Sequence, residues 1–560
     1  MAESLTVAEA LQNARESYGL SRDLPDSPIK TFSDLFRFAA ENYATSSAYT
    51  CIGHSISFAE LDSLSDSFAA WLCQVEDLHP GDRVALHLPN LLQYPVAAMA
   101  VLKAGMVLVN TNPLYTGPEL VSQFADAQVK IVISLKNIAS DLAKIIDQTS
   151  VQTVVLTEVA DLHPQPKRTL INAVVKYLRR EVPKLNFTNS LSFRDVLKRG
   201  SSLPKPQYPT PREDDIAVLQ YTGGTTGGSK GCMLTHASLI SSMHQCAWLY
   251  EHANWEKGQS TLVVPLPLYH IYAFDVGFCH CLINGHNTLL IPNPRDIKDF
   301  IKTLRKTPFD GFTGLNTLFN ALLNNAEFAR LDFSRVRLAI AGGMALSTSI
   351  AERWEKLTGS QICEGYGLTE SSGILSVNVP GDIRLGTVGI GFSGCEFKIA
   401  GEQNQSLPVE EPGELLFKGA QMMKGYWNNP EESKHVLDDD GWMRTGDIAV
   451  IGKDGRLRIV DRAKDMIVVS GFKVFPNEVE DVLMSHPDIV ECAVVAGKSD
   501  AGEYVRAFVV SSREGLTENE VRDYCREQLT AYKVPKKVEF RDSMPKSNVG
   551  KILRKELRDE

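Results

Sequence analysis

Between Ser55 and Thr157 short apolar runs alternate with segments of helical spacing, and no other property of the chain restricts its fold as tightly. Phe58 to Val75 has the periodicity of a helix, His79-Pro80-Gly81-Asp82 interrupts it, and Arg83 to Leu88 reads as a buried strand. Tyr94 to Lys103 predicts the next helix and Met106 to Asn110 the next strand. Glu119 to Gln128 with Val129 to Leu135, then Asp141 to Thr149 with Val151 to Thr157, repeat the pair. Such alternation implies βαβ units on a parallel sheet. It resumes around Thr261 to Pro265, Thr288 to Ile291 and Leu338 to Ala341. After about Gly394 the pieces shorten into strands with hairpin-like turns, such as Lys453-Asp454-Gly455-Arg456. Beyond Lys464 a smaller unit begins, with helices at Pro476 to Ser485 and Glu518 to Leu529 and strands at Glu491 to Val495 and Arg506 to Ser511. The expected architecture is α/β with a β-rich part: a large N-terminal domain over residues 1–461 and a small C-terminal α+β domain over residues 462–560.

A chain of 560 residues, 43% of them hydrophobic and 22% charged, has ample material for such a core. Lys+Arg 58 against Asp+Glu 68 gives a net charge of -10, which speaks against nucleic acid as a partner. Any anionic ligand must then be met by a local, preorganised site. Ten cysteines without a CxxC pair exclude a disulfide scaffold and read as reduced, structural thiols. Met1 to Leu20 has no apolar h-region, and the best apolar stretch, Tyr94 to Val109, is broken by Lys103. A cytoplasmic protein without signal or membrane span is expected. One segment stands apart: Gln165 to Leu185 carries six Lys/Arg and one Glu, with Leu170, Val174 and Leu178 beside Ile171 and Val175 on one apolar face. Its spacing favours a surface helix docked on its own domain; peripheral contact with the inner face of the cell membrane is the alternative.

Three familiar motifs fail on context. Gly389-Ile390-Gly391-Phe392-Ser393-Gly394 fits GxGxxG, but Cys395 to Ile399 reads as a strand where a dinucleotide fingerprint needs a helix. Gly227-Gly228-Ser229-Lys230-Gly231 fits the nucleophile elbow, but Cys232-Met233-Leu234 is extended and Thr235 is the better N-cap. A Walker A loop fails because Lys230 precedes Gly231 rather than a hydroxyl residue. The stretch read whole says more. Tyr221 to Gly231 follows the apolar run Ile216 to Leu219 and contains five glycines, three threonines, Ser229 and Lys230. Its backbone can approach a ligand closely, successive N–H groups form an anion nest, and Lys230 adds a point charge. A polyphosphate suits it.

With the motifs downstream, this loop resembles the phosphate-binding signature of the adenylate-forming superfamily, which contains acyl-CoA synthetases, luciferases and peptide-synthetase adenylation domains. Glu364-Gly365-Tyr366-Gly367-Leu368-Thr369-Glu370, Gly441 to Asp447, Ile459 to Asp465 and Pro545 to Lys551 follow in the family's order. Asp440 to Lys464 is similar to the fatty-acyl-CoA synthetase signature, and Asn90 to Pro95, Pro267 to His270 and Asn316 to Asn320 resemble bacterial long-chain fatty-acid–CoA ligases. The resemblance runs over nearly all of the chain after about Thr31.

It implies a site for ATP, Mg²⁺, CoA and a fatty acid. Thr222, Gly223, Gly224, Thr225, Thr226, Gly227 and Lys230 would cradle the β- and γ-phosphates, and Thr225 and Glu370 would hold Mg²⁺. Gly343, Gly365, Tyr366, Gly367 and Thr369 would surround the nucleotide, with Tyr366 stacked on adenine. Asp447 would accept both ribose hydroxyls, assisted by Arg462. Lys551, on a mobile C-terminal domain, would bridge the substrate carboxylate and the α-phosphate; Lys464 would be the hinge, and Ser470 and Gly471 would line the pantetheine tunnel. His270 would position the acyl end. Departures from the pattern at Gly228-Ser229, Gly391, Arg444 and Ser371 to Gly373 touch loop stiffness and the acyl mouth. An acyl-AMP ligase serving a carrier protein, a non-catalytic binding protein of the same fold, an aryl-CoA ligase and a homodimer stay open as alternatives.

Overall fold

Every residue of the helix Gln93–Lys103 is buried, including its polar first residue. Strands Arg83–His87 and Val107–Asn110 cover one side of it, and helices Phe32–Tyr43 and Phe58–Leu72 the other. The structure, a computed structural model, describes residues 5–222, 229–499, 502–547 and 550–560. Each predicted alternation from Phe58 to Thr157 is present, with ends shifted by a few residues.

Two sheets frame the large domain. The first has seven strands in the order Ser190–Ser192, Thr153–Thr157, Val129–Leu135, Arg83–His87, Val107–Asn110, Ile216–Thr222 and Lys230–Thr235. All its pairs are parallel except the last, in which Ile216–Thr222 and Lys230–Thr235, either side of the glycine-rich segment in sequence, pair antiparallel. The second has nine strands, with a parallel centre running from Ile362–Leu368 through Leu338–Ala341, Gly311–Gly314, Thr261–Val264 and Asn287–Leu290 to Ser47–Cys51. Its outer pairs are antiparallel. Strand and helix residues of both sheets meet in one apolar core. A third, four-stranded antiparallel sheet is built from Cys395–Ala400, Gly413–Gly419, Met443–Ile451 and Leu457–Arg462, and Lys453 to Arg456 makes its last turn as expected. Thr235 caps the helix His236–His252 through a bond from the Ser238 N–H, and Cys395 opens a strand, so both rejected motifs lack the helices they need. The smaller domain holds the hairpin Ile467–Val469 with Phe472–Val474 and a sheet of Ile489–Ser499, Gly502–Ser511 and Lys537–Phe540. The last of these strands was not anticipated. All ten cysteines are free and nine are buried. No helix among the described residues is long and apolar enough to cross a membrane.

Buried polar groups set how the two sheets meet. Asn90 Nδ2 donates to the carbonyls of Val264 (3.2 Å) and Leu266 (2.8 Å), and its Oδ1 accepts from the Leu268 N–H at 2.8 Å. Tyr94 donates its hydroxyl towards Asn110 Oδ1 (2.5 Å) and lies 2.9 Å from the Leu268 carbonyl. Asn110 donates to Gln220 Oε1 at 2.8 Å, and Gln220 in turn donates to the Tyr269 carbonyl at 2.7 Å. The segment Val264 to Tyr269 is thereby pinned from the first sheet, and with it the position of His270.

The basic helix departs from the expectation in one respect. Lys167–Ala173 continues into a wider turn at Val174–Leu178 and docks on its domain through Val175, while Leu170, Tyr177 and Leu178 are 66%, 70% and 78% exposed. Of the face expected to dock, Val175 is buried and Ile171 and Val174 half-buried, but Leu170 and Leu178 face water.

Asn90→Ala removes three buried hydrogen bonds at once. Stability should fall by about 3 kcal/mol, since each buried partner left unpaired costs about 1–3 kcal/mol. A lower thermal midpoint than the wild type's, measured by circular dichroism, checks this.

Candidate active site

Strands of two sheets bring the first group together. Asp447 and Arg462 are cross-strand neighbours in the four-stranded sheet. The Tyr366 hydroxyl reaches across from the second sheet and donates to Asp447 Oδ2 at 2.6 Å, while Arg462 Nε lies 3.3 Å from Oδ1. Both oxygens of this buried carboxylate therefore have partners. Burial, with Asp447 alongside, drives the Tyr366 phenol far above its ordinary pKa, so it stays a donor. A bulge at Tyr366/Gly367 turns the strand here, and Gly367 is required by packing: a Cβ would stand 2.0 Å from the Gly373 carbonyl oxygen. Thr369 begins the single helical turn that carries Glu370.

Lys551 enters from the smaller domain. Burial and then the Arg462 charge press its amine down to about 8, while Asp447 opposes them. The Gly550 carbonyl before it accepts from Thr317 Oγ1 at 3.4 Å, and Asn320 Nδ2 donates to the Val490 carbonyl at 3.1 Å. These contacts hold the smaller domain against the helix Asn316–Leu323. His270 lies within reach of the Lys551 charge; burial first, and that charge second, lower its pKa to about 4. It is neutral at pH 7, and its Nδ1 accepts from the Tyr272 N–H at 3.4 Å at the start of the turn Ile271–Ala273. Tyr272 reaches on to the Ile340 carbonyl (3.0 Å) beside Gly342 and Gly343.

A second group surrounds the glycine-rich loop. Thr222 and Lys230 pair at its base, and Ser229 Oγ donates to the Thr222 carbonyl at 2.8 Å. Gly223, Gly224, Thr225, Thr226 and Gly227 lie outside the described residues. Lys230 pairs with Glu432 and sits 5.3 Å above the Tyr426 ring. The Tyr426 hydroxyl donates to Glu370 Oε1 at 2.8 Å, and the Met423 N–H to the Glu370 carbonyl at 2.8 Å. Burial and Glu370 raise the Tyr426 phenol well above its ordinary value.

Ser470 and Gly471 make no contact with either group among the described residues. They form the exposed tip of the hairpin, with φ of 50° and 85°, as a two-residue turn of type I′ requires. Lys464 lies on an exposed turn closed by the Asp465 N–H on the Arg462 carbonyl at 3.0 Å; burial of its amine, and Arg462, lower its pKa. Sequence reasoning missed Tyr426, Glu432 and Arg554. Arg554 meets Asp461 at 3.3 Å and Glu480 at 2.6 Å, three residues after Lys551. Burial opposes its charge, yet Glu480 and Asp461 raise its pKa and hold it protonated. It also missed Glu364, whose carboxyl accepts from the Leu346 N–H at 2.9 Å and is pushed by burial to about 8. A signal was available for Glu364, which opens a motif, and for Arg554, a basic residue in the helix Arg554–Asp559 just after one.

The fold, the Tyr366, Asp447, Arg462 and Lys551 group and the glycine-rich segment between Thr222 and Lys230 fit a nucleotide-dependent enzyme. Residues 36–427 match the AMP-binding enzyme family and residues 478–551 the AMP-binding enzyme C-terminal domain. The chain belongs to this family. It is 48% identical over 532 residues to the long-chain-fatty-acid–CoA ligase of Escherichia coli O6:H1, covering 94% of each chain. The ligase of the same name from Haemophilus influenzae is 44% identical over 548 residues, 97% of each chain. Among solved structures, ATP-bound MatB from Rhodopseudomonas palustris gives a TM-score of 0.79 at 27% identity, covering 94% of this chain and 98% of that one. A benzoate CoA ligase from Burkholderia xenovorans gives 0.80 at 26%, with 94% and 99% covered.

Amine-directed labelling read by mass spectrometry should give Lys551 a titration midpoint near the lowered value of about 8, below exposed lysines. Since Arg462 lowers this pKa and Asp447 raises it, Arg462→Gln should move the midpoint up and Asp447→Asn should move it down. A midpoint unmoved by both changes would contradict the placement of the amine.

Proposed function

We infer that the protein is an ATP-dependent acid–thiol ligase that converts a long-chain fatty acid to its acyl-adenylate and then to acyl-CoA. One observation carries this: Lys551, from the smaller domain, lies within electrostatic reach of Asp447 and His270, both placed by the large domain, and of Arg462 at the boundary between the two. The relatives named as fatty-acid–CoA ligases, at 44% to 48% identity, support the substrate class.

In the first half-reaction a carboxylate oxygen attacks the α-phosphorus of ATP. The bond to the β-phosphate oxygen breaks, and its electron pair leaves with pyrophosphate. Two anions must approach, so the protein's work is positioning and charge neutralisation. Asp447 would exchange its Tyr366 and Arg462 partners for the ribose hydroxyls, freeing Arg462 for phosphate and Tyr366 for the base. Lys551 would span carboxylate and α-phosphate, and the neutral, half-buried His270 would fix the acyl end without drawing a proton. Lys230 and the loop Thr222 to Gly227 would hold the terminal phosphates. Glu370 keeps a half-buried carboxylate beside Tyr426, and with Thr225 it would supply the hard oxygen donors that suit Mg²⁺, which when bound adds positive charge beside the phosphates. In the second half-reaction the CoA sulfur attacks the acyl carbonyl, the thiol loses its proton, and the acyl–oxygen bond breaks to release AMP. The domain division at 461/462, with Lys464 as pivot, belongs to the same proposal: turning there withdraws Lys551 and brings in Ser470 and Gly471. The exposure of that hairpin tip supports it.

Incubation with ATP, Mg²⁺ and a panel of short- to long-chain fatty acids should release pyrophosphate, and adding CoA should give the thioester. Pyrophosphate without thioester would favour a carrier-protein acceptor; no pyrophosphate would favour a binding protein. Lys551→Ala should slow adenylation by about 100-fold or more, in line with loss of a charge donor at the transition state. It should still transfer a preformed acyl-adenylate to CoA, and equal failure of both steps would refute the role given to Lys551.

We also propose that the protein works in the cytoplasm and touches the membrane's inner face through the helix beginning at Lys167. Its outward Leu170, Tyr177 and Leu178, flanked by Lys176, Arg179 and Arg180, support this on a chain of net charge -10. Sedimentation with phosphatidylglycerol vesicles should exceed that with phosphatidylcholine and fall with salt. Leu170→Asp with Leu178→Asp should abolish most of it, each leucine contributing about 1–2 kcal/mol.

A further inference from the structure

Ser242, Cys246 and Tyr250 follow one another at intervals of four on the helix His236–His252, so they form a row along one face. All three are buried. Against this row the chain after His270 makes a π-helical turn, Phe274–Cys279, and enters the helix His280–Asn284. A turn of that width brings residues five apart onto one side, and Asp275 and His280 meet the row together. The Cys246 Sγ, a carboxylate oxygen of Asp275 and a ring nitrogen of His280 lie within 4.8 Å of one another. Cys246 is closed off from solvent, and Asp275 and His280 are 1% and 2% exposed. His280 Nε2 faces Asp275 Oδ1 at 3.3 Å, yet neither atom has a hydrogen-bond partner among the described residues. Their other ends are held. Ser242 Oγ donates to Asp275 Oδ2 at 3.2 Å, and His280 Nδ1 lies 3.1 Å from the Tyr250 hydroxyl. Gly373 leaves the room that this requires, since a Cβ there would stand 2.3 Å from Asp275 Oδ2.

A carboxylate and an imidazole that face each other in a core without a hydrogen bond call for a third party. Two ligand atoms, each about 2.0 Å from a tetrahedral zinc ion, lie about 3.3 Å apart. That is the spacing of His280 Nε2 and Asp275 Oδ1. We propose that Cys246, Asp275 and His280 bind one zinc ion inside the large domain, with a water as fourth ligand. A thiolate, an imidazole and a carboxylate suit zinc, whereas magnesium takes oxygen ligands. The charges close, because thiolate and carboxylate together offset a dication. Burial, then Asp275, holds the Cys246 thiol well above its ordinary pKa, and a bound cation displaces its proton. Ligation through Nε2 leaves the imidazole proton on Nδ1, which then donates to the Tyr250 hydroxyl, the kind of outer contact that orients a metal-bound histidine. The ion ties the helix His236–His252 to the segment that follows His270, and its role is structural.

Full-length protein produced in zinc-supplemented medium and dialysed against EDTA should keep about one zinc per chain by elemental mass spectrometry, since all three ligands are buried. Protein produced with cobalt instead should show a thiolate-to-cobalt charge-transfer band that Cys246→Ser lacks. Refolded from denaturant, the wild type should reach a higher thermal midpoint with zinc than with EDTA, and magnesium should not replace zinc. Tyr250→Phe keeps the ring and loses the outer contact, so refolding to the same occupancy should need about 10- to 100-fold more free zinc. Wild type that holds no zinc, or whose midpoint is indifferent to zinc, would overturn the proposal and leave a plain His–Asp contact in the core. Bound zinc without the cobalt–thiolate band would overturn it too, by placing the ion elsewhere. Should Cys246→Ser not fold, the wild-type band and zinc content decide alone. None of these measurements uses a fatty acid, ATP or CoA, so the ligase reading stands or falls separately.

Discussion

The arrangement of this protein depends on a small set of buried amide and phenol groups. Asn90, Tyr94, Asn110 and Gln220 fasten the segment Val264 to Tyr269 of one sheet to the strand ends of the other. Apolar contact between layers is strong but without direction, and it would tolerate sliding of one sheet on the other. Hydrogen bonds inside a core are not so tolerant, because each broken partner is left unpaired. The chain beyond Tyr269 inherits this precision. His270 starts the next turn, Tyr272 reaches the Ile340 carbonyl, and the strand with Tyr366 lies alongside.

Charge is distributed on the same logic. A chain of net charge -10 keeps its useful cations in the company of acids: Lys230 with Glu432, Arg462 with Asp447, Arg554 with Glu480. Each pair offsets the charge of its cation locally. Lys551 differs. Burial first, and the Arg462 charge second, lower its pKa, with Asp447 only partly opposing them. In the role proposed for it, Lys551 would offer an incoming carboxylate and phosphate an ammonium that no acidic side chain pairs with among the described residues.

Much of the fold could be read directly. Val129–Leu135 and Leu338–Ala341 fall where periodicity puts them, and Thr235 caps where its hydroxyl allows. What could not be read was long-range. Ser47–Cys51 precedes the strands of the first sheet in sequence yet pairs with Asn287–Leu290 of the second, because pairing partners leave no trace in local spacing. The basic helix has one broad apolar face, and spacing alone cannot say that Val175 docks while Leu170 and Leu178 at its edge face outward. For the site, Asp447, Arg462 and Lys551 were found through ordered motifs, and the structure brings them together. Tyr426 and Glu432 escaped notice because a tyrosine in a loop and an acid in a first helical turn are common everywhere.

The grip of Arg554 bears on timing. It joins Asp461, before Lys464, to Asp465 and Glu480 after it, at 3.3, 3.8 and 2.6 Å. The Asn477 N–H, also beyond Lys464, adds a second bond to Asp461 at 2.8 Å. A turn about Lys464 would carry the arginine away with Glu480 and strand the Asp461 carboxylate, a buried charge that has lost its counterion. The dwell time of the closed arrangement would then be set by residues that touch neither substrate. On the pivot proposed above, single substitutions around Asp461 would retune that clock without altering the chemistry it times.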